Sequence, residues 1–169
     1  MDVVLPPKDD GPVLPAPMSA KGGGGKPRIL ILQADDDRLA ANKMFLEGDD
    51  RILDGRLVHS LKDAEAAFKG HDIVVSGMGF SGHGVEEGYE LSNHVKSKKP
   101  DAIFILSTSV PFNLYDRHDP SVDYYVAVGQ DGIRDPDGKT IKLARTKDHL
   151  HALKALVKYL VREKGRDKQ

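Results

Sequence analysis

The feature that most limits what this chain can fold into is a set of short, unbroken apolar runs set into a polar sequence. Ile29-Leu30-Ile31-Leu32, Ile73-Val74-Val75 and Ala102-Ile103-Phe104-Ile105-Leu106 contain no residue suited to face water. A strand with one wet face alternates, whereas an unbroken apolar run marks a strand covered on both faces. Arg56-Leu57-Val58-His59 reads as a weaker strand, and Tyr124-Tyr125-Val126-Ala127-Val128 as a fifth. Helical segments separate them. Asp35-Asp36-Asp37 can cap a helix to about Glu47, with Leu39, Met44, Phe45 and Leu46 as its apolar positions. Ser60 caps a short helix carrying Leu61, Ala64, Ala67 and Phe68 and stopped by Gly70. A third runs from about Val85 to Ser97. Thr146 caps the last, whose Leu150, Leu153, Leu156, Val157, Leu160 and Val161 form a broad apolar stripe.

Strands alternating with helices predict an α/β domain with a mainly parallel sheet and helices on both faces. Ligand chemistry in such a fold gathers outside the carboxyl ends of the strands, here loops 33–38, 76–84, 107–121 and 128–131. Residues 110–121 hold Pro111, Asn113, Asp116 and Pro120 and show no helical period. Ile133 to Leu143 reads as a hairpin turning at Asp135-Pro136-Asp137-Gly138.

Composition then removes several function classes. Lys plus Arg number 25 against 26 Asp plus Glu in 169 residues, which argues against a polybasic nucleic-acid binder. The absence of cysteine excludes a disulfide framework, a thiol nucleophile and a Cys-ligated zinc. No apolar run nears the roughly 20 residues that span a bilayer. The opening residues MDVVLPPKDD lack a secretory signal, so a soluble, cytoplasmic protein is expected.

Residues 1–27 differ from the rest. They carry Pro6, Pro7, Pro12, Pro15, Pro17 and Pro27 and then four consecutive glycines, Gly22 to Gly25. A disordered tail is expected there, a single α/β domain over 28–164, and fraying over 165–169. Val13-Leu14-Pro15-Ala16-Pro17 also has the composition of a polyproline II ligand, though a plain flexible tail is the more economical reading.

From Arg28 to Leu106 and on to the last helix, the chain resembles the receiver domain of two-component response regulators. The likeness lies in an acidic cluster after the first strand, a third strand reading DIVVSG, and a glycine-rich turn into GYEL. A fourth strand within PDAIFILST, a tyrosine-bearing fifth strand and an amphipathic last helix complete the order. The resemblance implies a flavodoxin-like, doubly wound sheet of five parallel strands in the order 2-1-3-4-5. The fourth helix is expected short or absent, with a hairpin inserted before the last helix. Order and spacing carry it rather than any single specific motif.

By the same resemblance, an acidic pair holds Mg²⁺ beside the phosphoryl group, because that ion takes hard oxygen ligands. The pair falls on Asp36 and Asp37, or on Asp35 and Asp36. The hydroxyl ending the fourth strand falls on Ser107 or Thr108, and the aromatic switch on Tyr124 or Tyr125. Two parts do not transfer. The phospho-accepting aspartate falls on Gly77, and no carboxylate occurs from Ile73 to Val85. The lysine ending the fifth strand falls on Ala127 or Val128, without the usual proline after it.

Other constellations compete. Gly77-Met78-Gly79-Phe80-Ser81-Gly82 matches G-x-G-x-x-G, and Gly84 follows. Its amides could cradle a phosphate at a helix start, but the fingerprint belongs to a first βα unit and this is the third. Asp35 to Asp37 could hold a divalent ion or simply cap the helix. His118-Asp119 and His149-x-His151 have ligand-like proximity, yet positions i and i+2 on a helix face apart. Lys154, Lys158, Arg162, Lys164 and Arg166 read as the solvated face of the last helix.

The sequence thus predicts a non-enzymatic pseudo-receiver that binds another protein without phosphorylation, with no nucleic acid or membrane. No cofactor is expected beyond Mg²⁺ at Asp36 and Asp37. The alternative is a small nucleotide- or metabolite-binding α/β protein that uses the Gly77–Gly84 loop, with or without Mg²⁺. Residues 1–25 contain little that could pack. Deleting them should leave the melting temperature nearly unchanged in a thermal denaturation scan; a fall of several degrees would show that they dock on the domain.

Overall fold

The computed structural model describes residues 25–81, 87–108, 119–127, 133–135, 139–141 and 148–167. The apolar runs become strands in the expected order. The elements are β1 (Arg28–Gln33), α1 (Asp36–Leu46), β2 (Ile52–Leu57), α2 (Leu61–Ala67), β3 (Ile73–Ser76) and α3 (Glu87–Lys98). They continue with β4 (Ile103–Thr108), β5 (Tyr124–Ala127), β6 (Ile133–Arg134), β7 (Thr140–Ile141) and α4 (His149–Asp167). β1 to β5 pair in parallel in the order 2-1-3-4-5. Leu32 lies beside Ser76, and Ser76 beside Leu106, so these strands end level with one another.

Every second residue of the central strands goes to one of two cores. Leu30, Leu32, Val74, Phe104 and Leu106 pack with Ala64, Ala67 and Phe68 of the α2 region and with Tyr89, Leu91 and Val95 of α3. Ile29, Ile31, Ile73, Val75 and Ile105 pack with Leu46 of α1 and with Leu153, Leu156, Val157 and Leu160 of α4. Full burial of one such side chain stabilises the fold by about 1.5–3 kcal/mol, so the two layers hold the helices in place.

Three details differ from the sequence reading. The sheet has seven strands, not five, because the hairpin joins it instead of standing apart. β6 runs antiparallel to β5 through Tyr125 and Arg134, and β7 pairs antiparallel with β6. Without them β5 would present an open row of amides and carbonyls. Ile133 is also buried in the α4-side core, so the hairpin gains packing as well as ladder bonds.

β2 spans Ile52–Leu57 and does not start at Arg56. Asp54, Gly55 and Arg56 conceal it, since an edge strand is only half covered. Gly55 is needed there: a Cβ would come within 2.8 Å of the Lys43 side chain of α1. Met44 is 68% exposed, so it is not a core position of α1, whose fully buried residues are Asn42 and Leu46. α3 is described from Glu87, and its expected start at Val85 lies outside the described residues.

The local signals behave as their chemistry requires. Asp35 caps α1, its Oδ1 accepting from the amides of Asp37 at 2.8 Å and Arg38 at 3.3 Å. Ser60 Oγ accepts from Asp63 N at 3.0 Å at the start of α2. Gly70 takes φ 75°, which lets the chain turn from α2 into β3 without a Cβ clash. Asp148 Oδ1 accepts from His151 N at the start of α4. The proposed cap Thr146, the hairpin turn 136–138, residues 109–118 where the fourth helix was expected short or absent, and both extreme ends lie outside the described residues.

The amino ends of the strands carry a buried polar lock. His71 is fully buried, with Nε2 3.3 Å from Asp54 Oδ2 on β2 and Nδ1 accepting from Lys69 N at 3.3 Å. Burial pushes the imidazole pKa below its usual 6.5, the Arg28 charge adds to this, and Asp54 and Asp72 partly oppose it. The unfolded chain therefore binds a proton at a pH where folded His71 does not. Its contribution is fully present above pH 6.5 and is lost as pH falls through the lower, folded pKa. His149 is shifted the same way by burial and by Arg38, so both act together. Melting temperatures from about pH 8 to about pH 5 should fall toward acid, and a His71→Asn variant should show a shallower fall. An unchanged slope in that variant would remove His71 from the account.

Candidate functional site

The strand ends converge where the sequence placed the chemistry, and the groups brought together are neutral. β1 ends in Gln33 on the same face as Ile29 and Ile31, toward α1. β3 runs into Gly77, whose amide donates to Leu32 O at 3.0 Å and so continues the ladder past Ser76. A Cβ built on Gly77 would lie 3.0 Å from Gln33 Oε1, and every other atom it would meet within 4 Å belongs to the Gln33 side chain. Gln33 is 3% exposed, and its Nε2 donates to Asn42 Oδ1 of α1 at 2.9 Å. The bond pairs Gln33 Nε2 with Asn42 Oδ1, and removing one member strands the other at about 1–3 kcal/mol.

The aspartates sit elsewhere. Asp35, Asp36 and Asp37 lie beyond the strand end, at the cap and first turn of α1, and all three are exposed. Asp35 spends Oδ1 on the helix amides. Gln33, two residues before the cap, is the side chain that meets a Cβ built on Gly77, and Asp36 and Asp37 follow in the first turn of α1. Among the described residues, no group of three or more His, Asp or Glu side chains converges as a metal site would require.

The remaining positions fall on known faces. Ser107 follows Ile103 and Ile105 on the Gln33 side of β4 and is 1% exposed, while Thr108 is buried one residue on. Ala127 ends β5 and is buried; Val128 lies outside the described residues. The two tyrosines separate cleanly. Tyr125 is 1% exposed, packs edge-on against Tyr89 at 6.5 Å, and accepts through its hydroxyl from Asp119 N at 3.1 Å. Asp119 in turn accepts from Ser121 and from Asn93 Nδ2, and Ser121 Oγ meets Ser92 Oγ. Tyr124 faces α4, where burial and then the nearby Asp123, Tyr159 and Asp135 push its phenol up.

The glycine loop already has an anion. Glu87 Oε1, in the first turn of α3, accepts from Phe80 N at 2.7 Å and Ser81 N at 3.0 Å. Gly88 N donates to Met78 O at 2.7 Å, and Met78 and Phe80 are buried in the α2–α3 core. Of the loop glycines, Gly77 uses its amide in the sheet; Gly82 and Gly84 lie outside the described residues. Gln33 and Glu87 are the residues that sequence reasoning missed. A lone glutamine closing an apolar run was the only signal for the first, and the strand register that sets it against Gly77 is not written in the sequence.

No family model and no curated protein sequence matches the chain. Solved structures do match in fold. A CheY-like response regulator receiver domain from Methanospirillum hungatei aligns over 82% of this chain and 95% of its own, at 17% identity and TM-score 0.51. A Francisella response regulator receiver domain aligns over 81% of this chain and 98% of its own, at 12% identity and TM-score 0.51. The response regulator TrrA of Thermotoga maritima, solved in complex with Mg²⁺-BeF, aligns over 60% of this chain and 85% of its own, at 22% identity and TM-score 0.50. The order of the five parallel strands and the helices on both faces agree with this likeness. The chain has the fold of a response regulator receiver domain.

Proposed function

We propose that this protein is a phosphorylation-independent pseudo-receiver, a non-enzymatic signalling module that acts by binding another protein. The observation that carries the reading is Gly77 faced by the buried Gln33 amide. Phosphoryl transfer to a receiver requires a carboxylate nucleophile and a cation to draw charge from the phosphate. At the strand ends, Gly77 offers no side chain and Gln33 offers a neutral oxygen. Ala127 offers nothing where the resemblance puts a lysine. Among the described residues no group of three carboxylates or histidines gathers to hold Mg²⁺. Asp36 and Asp37 remain exposed at the helix start, available for weak binding. The nucleotide-binding alternative loses ground because Glu87 already occupies the Phe80 and Ser81 amides of that loop.

Incubation with acetyl phosphate and Mg²⁺ should add no phosphoryl group to the intact protein by mass spectrometry. A gain of one phosphoryl group that hydroxylamine removes would overturn the reading. A second test probes the geometry. Gly77→Asp sets its Cβ 3.0 Å from Gln33 Oε1 and crowds a carboxylate against that oxygen, and overpacking of this kind costs about 1–3 kcal/mol. Denaturant titration should show that loss with or without Mg²⁺, and a Gln33→Ala background should relieve much of it. Full recovery by Mg²⁺ alone would mean that Asp36 or Asp37 reaches the site after all.

A further inference from the structure

The sheet has two end strands of unequal length: β7 has two residues and β2 has six. Among the described residues no strand pairs with β2 on its outer side. Ile52 N donates to Pro27 O at 2.9 Å, and Val58 N donates to Gln33 O at 2.9 Å. Alternation along the strand then turns the backbone groups of Ile52, Asp54, Arg56 and Val58 toward β1. The amides and carbonyls of Leu53, Gly55 and Leu57 point outward. Natural edges are blunted by proline, by a bulge, by lysine or by shortness. Here no proline occurs between Pro27 and Pro100, and the one-to-one register with β1 contains no bulge. Leu57, at the outer end, is 40% exposed, one of two large apolar side chains left open among the described residues.

We propose that a second copy of this chain adds to this edge, the two β2 strands pairing antiparallel about a twofold axis through Gly55. The segment Leu53-Asp54-Gly55-Arg56-Leu57 is complementary to its own reverse. With the axis at Gly55, Asp54 faces Arg56 of the second copy, and Arg56 faces the second copy's Asp54. Leu53 faces Leu57 of the second copy, and the two glycines meet with no side chain to collide. The outward groups of Leu53, Gly55 and Leu57 then all find partners. Asp54 and Arg56 share one face of the sheet, where Arg56 Nε lies 3.3 Å from Asp54 Oδ1. Pairing sets each carboxylate between its own Arg56 and the second copy's, so the charges alternate around a square. Unlike charges directly opposed stabilise a strand pair, and like charges destabilise it. That rule selects the register. An axis at Asp54 would oppose two aspartates, and an axis at Arg56 would oppose two arginines. On the other face α1 packs against both β1 and β2, so the two α1 helices come side by side. The dimer is independent of phosphoryl chemistry at the strand-end rim, because none of its strand contacts involves Gln33, Gly77 or Asp36.

A strand pair is small beside a standard interface, so the full-length chain should sediment as a monomer at about 5 μM and as a dimer toward about 1 mM. Hydrogen exchange read by NMR across that range reports the register. The amides of Leu53, Gly55 and Leu57 should slow at least about tenfold at high concentration, while those of Ile52, Asp54 and Arg56 are slow throughout. Leu57→Pro removes an outward donor and no bond to β1, so it should fold and dimerise at least about tenfold more weakly. Arg56→Glu sets acid against acid at two places and should do the same. Asp54→Lys should be monomeric alone, yet mixed with the Arg56→Glu chain it should form a mixed dimer, since every opposed pair is again unlike in sign. Asp54 also lies 3.3 Å from His71 Nε2, so circular dichroism and melting temperature check each variant. Where Asp54→Lys does not fold, Leu57→Pro and Arg56→Glu decide the matter. A monomer up to about 1 mM, or a dimer that leaves the three outward amides unprotected, would overturn the proposal. So would undiminished association of Leu57→Pro and Arg56→Glu. Protection of the outward amides that is independent of concentration would overturn it as well, because the chain would then cover its own edge.

Discussion

The burial of β1, β3 and β4 on both faces is the constraint from which the rest of the structure follows. Once Ile29 to Leu32, Ile73 to Val75 and Phe104 to Leu106 are all removed from water, helices must cover both sides of the sheet. Parallel neighbours with right-handed crossovers then bring every carboxyl strand end to one edge. Polar groups can collect only at the two rims. At the amino rim they form the His71, Asp54, Asp72 and Arg28 lock. At the carboxyl rim they form the Gln33, Asn42, Gly77 and Ser107 group.

That carboxyl rim is where a receiver fold would do its chemistry, and here its interactions are those of a structural joint. The Gln33–Asn42 pair ties β1 to α1 without charge. Glu87 ties the loop after β3 to α3, while at the amino end of β5 the Asp119, Ser121 and Asn93 bonds tie its entry to α3. Tyr125 is held inside that network, so its ring has no exposed alternative that leaves Asp119 N satisfied by the same bond.

Much of the fold was legible because its signals are local. Unbroken apolar runs announced β1, β3 and β4, and Asp35 and Ser60 announced their helices through the one side-chain oxygen each supplies. The hidden features depend on long-range pairing. β2 carries Asp54, Gly55 and Arg56 because an edge strand is half wet, and only its ladder to Arg28–Gln33 identifies it. Met44 sits among apolar neighbours in sequence but points outward, since the tilt of α1 buries Asn42 and Leu46. The acidic triplet drew attention to the loop after β1 and away from Gln33. Which side chain meets Gly77 is decided by the register of β1 against β3, which places Leu32 beside Ser76 and therefore Gln33 beside Gly77.

The central claim is that the strand-end rim is closed to phosphoryl chemistry because Gln33 and Gly77 replace charge with a neutral amide. Amide-resolved NMR titration with Mg²⁺ and beryllofluoride, the ion pair held in the TrrA structure, tests this without relying on turnover. The account predicts that the Gln33, Gly77 and Ser107 amide signals stay in place through the titration, with any Mg²⁺-dependent change confined to the exposed start of α1. Saturable shifts at Gly77 and Ser107 that require both Mg²⁺ and beryllofluoride would contradict it.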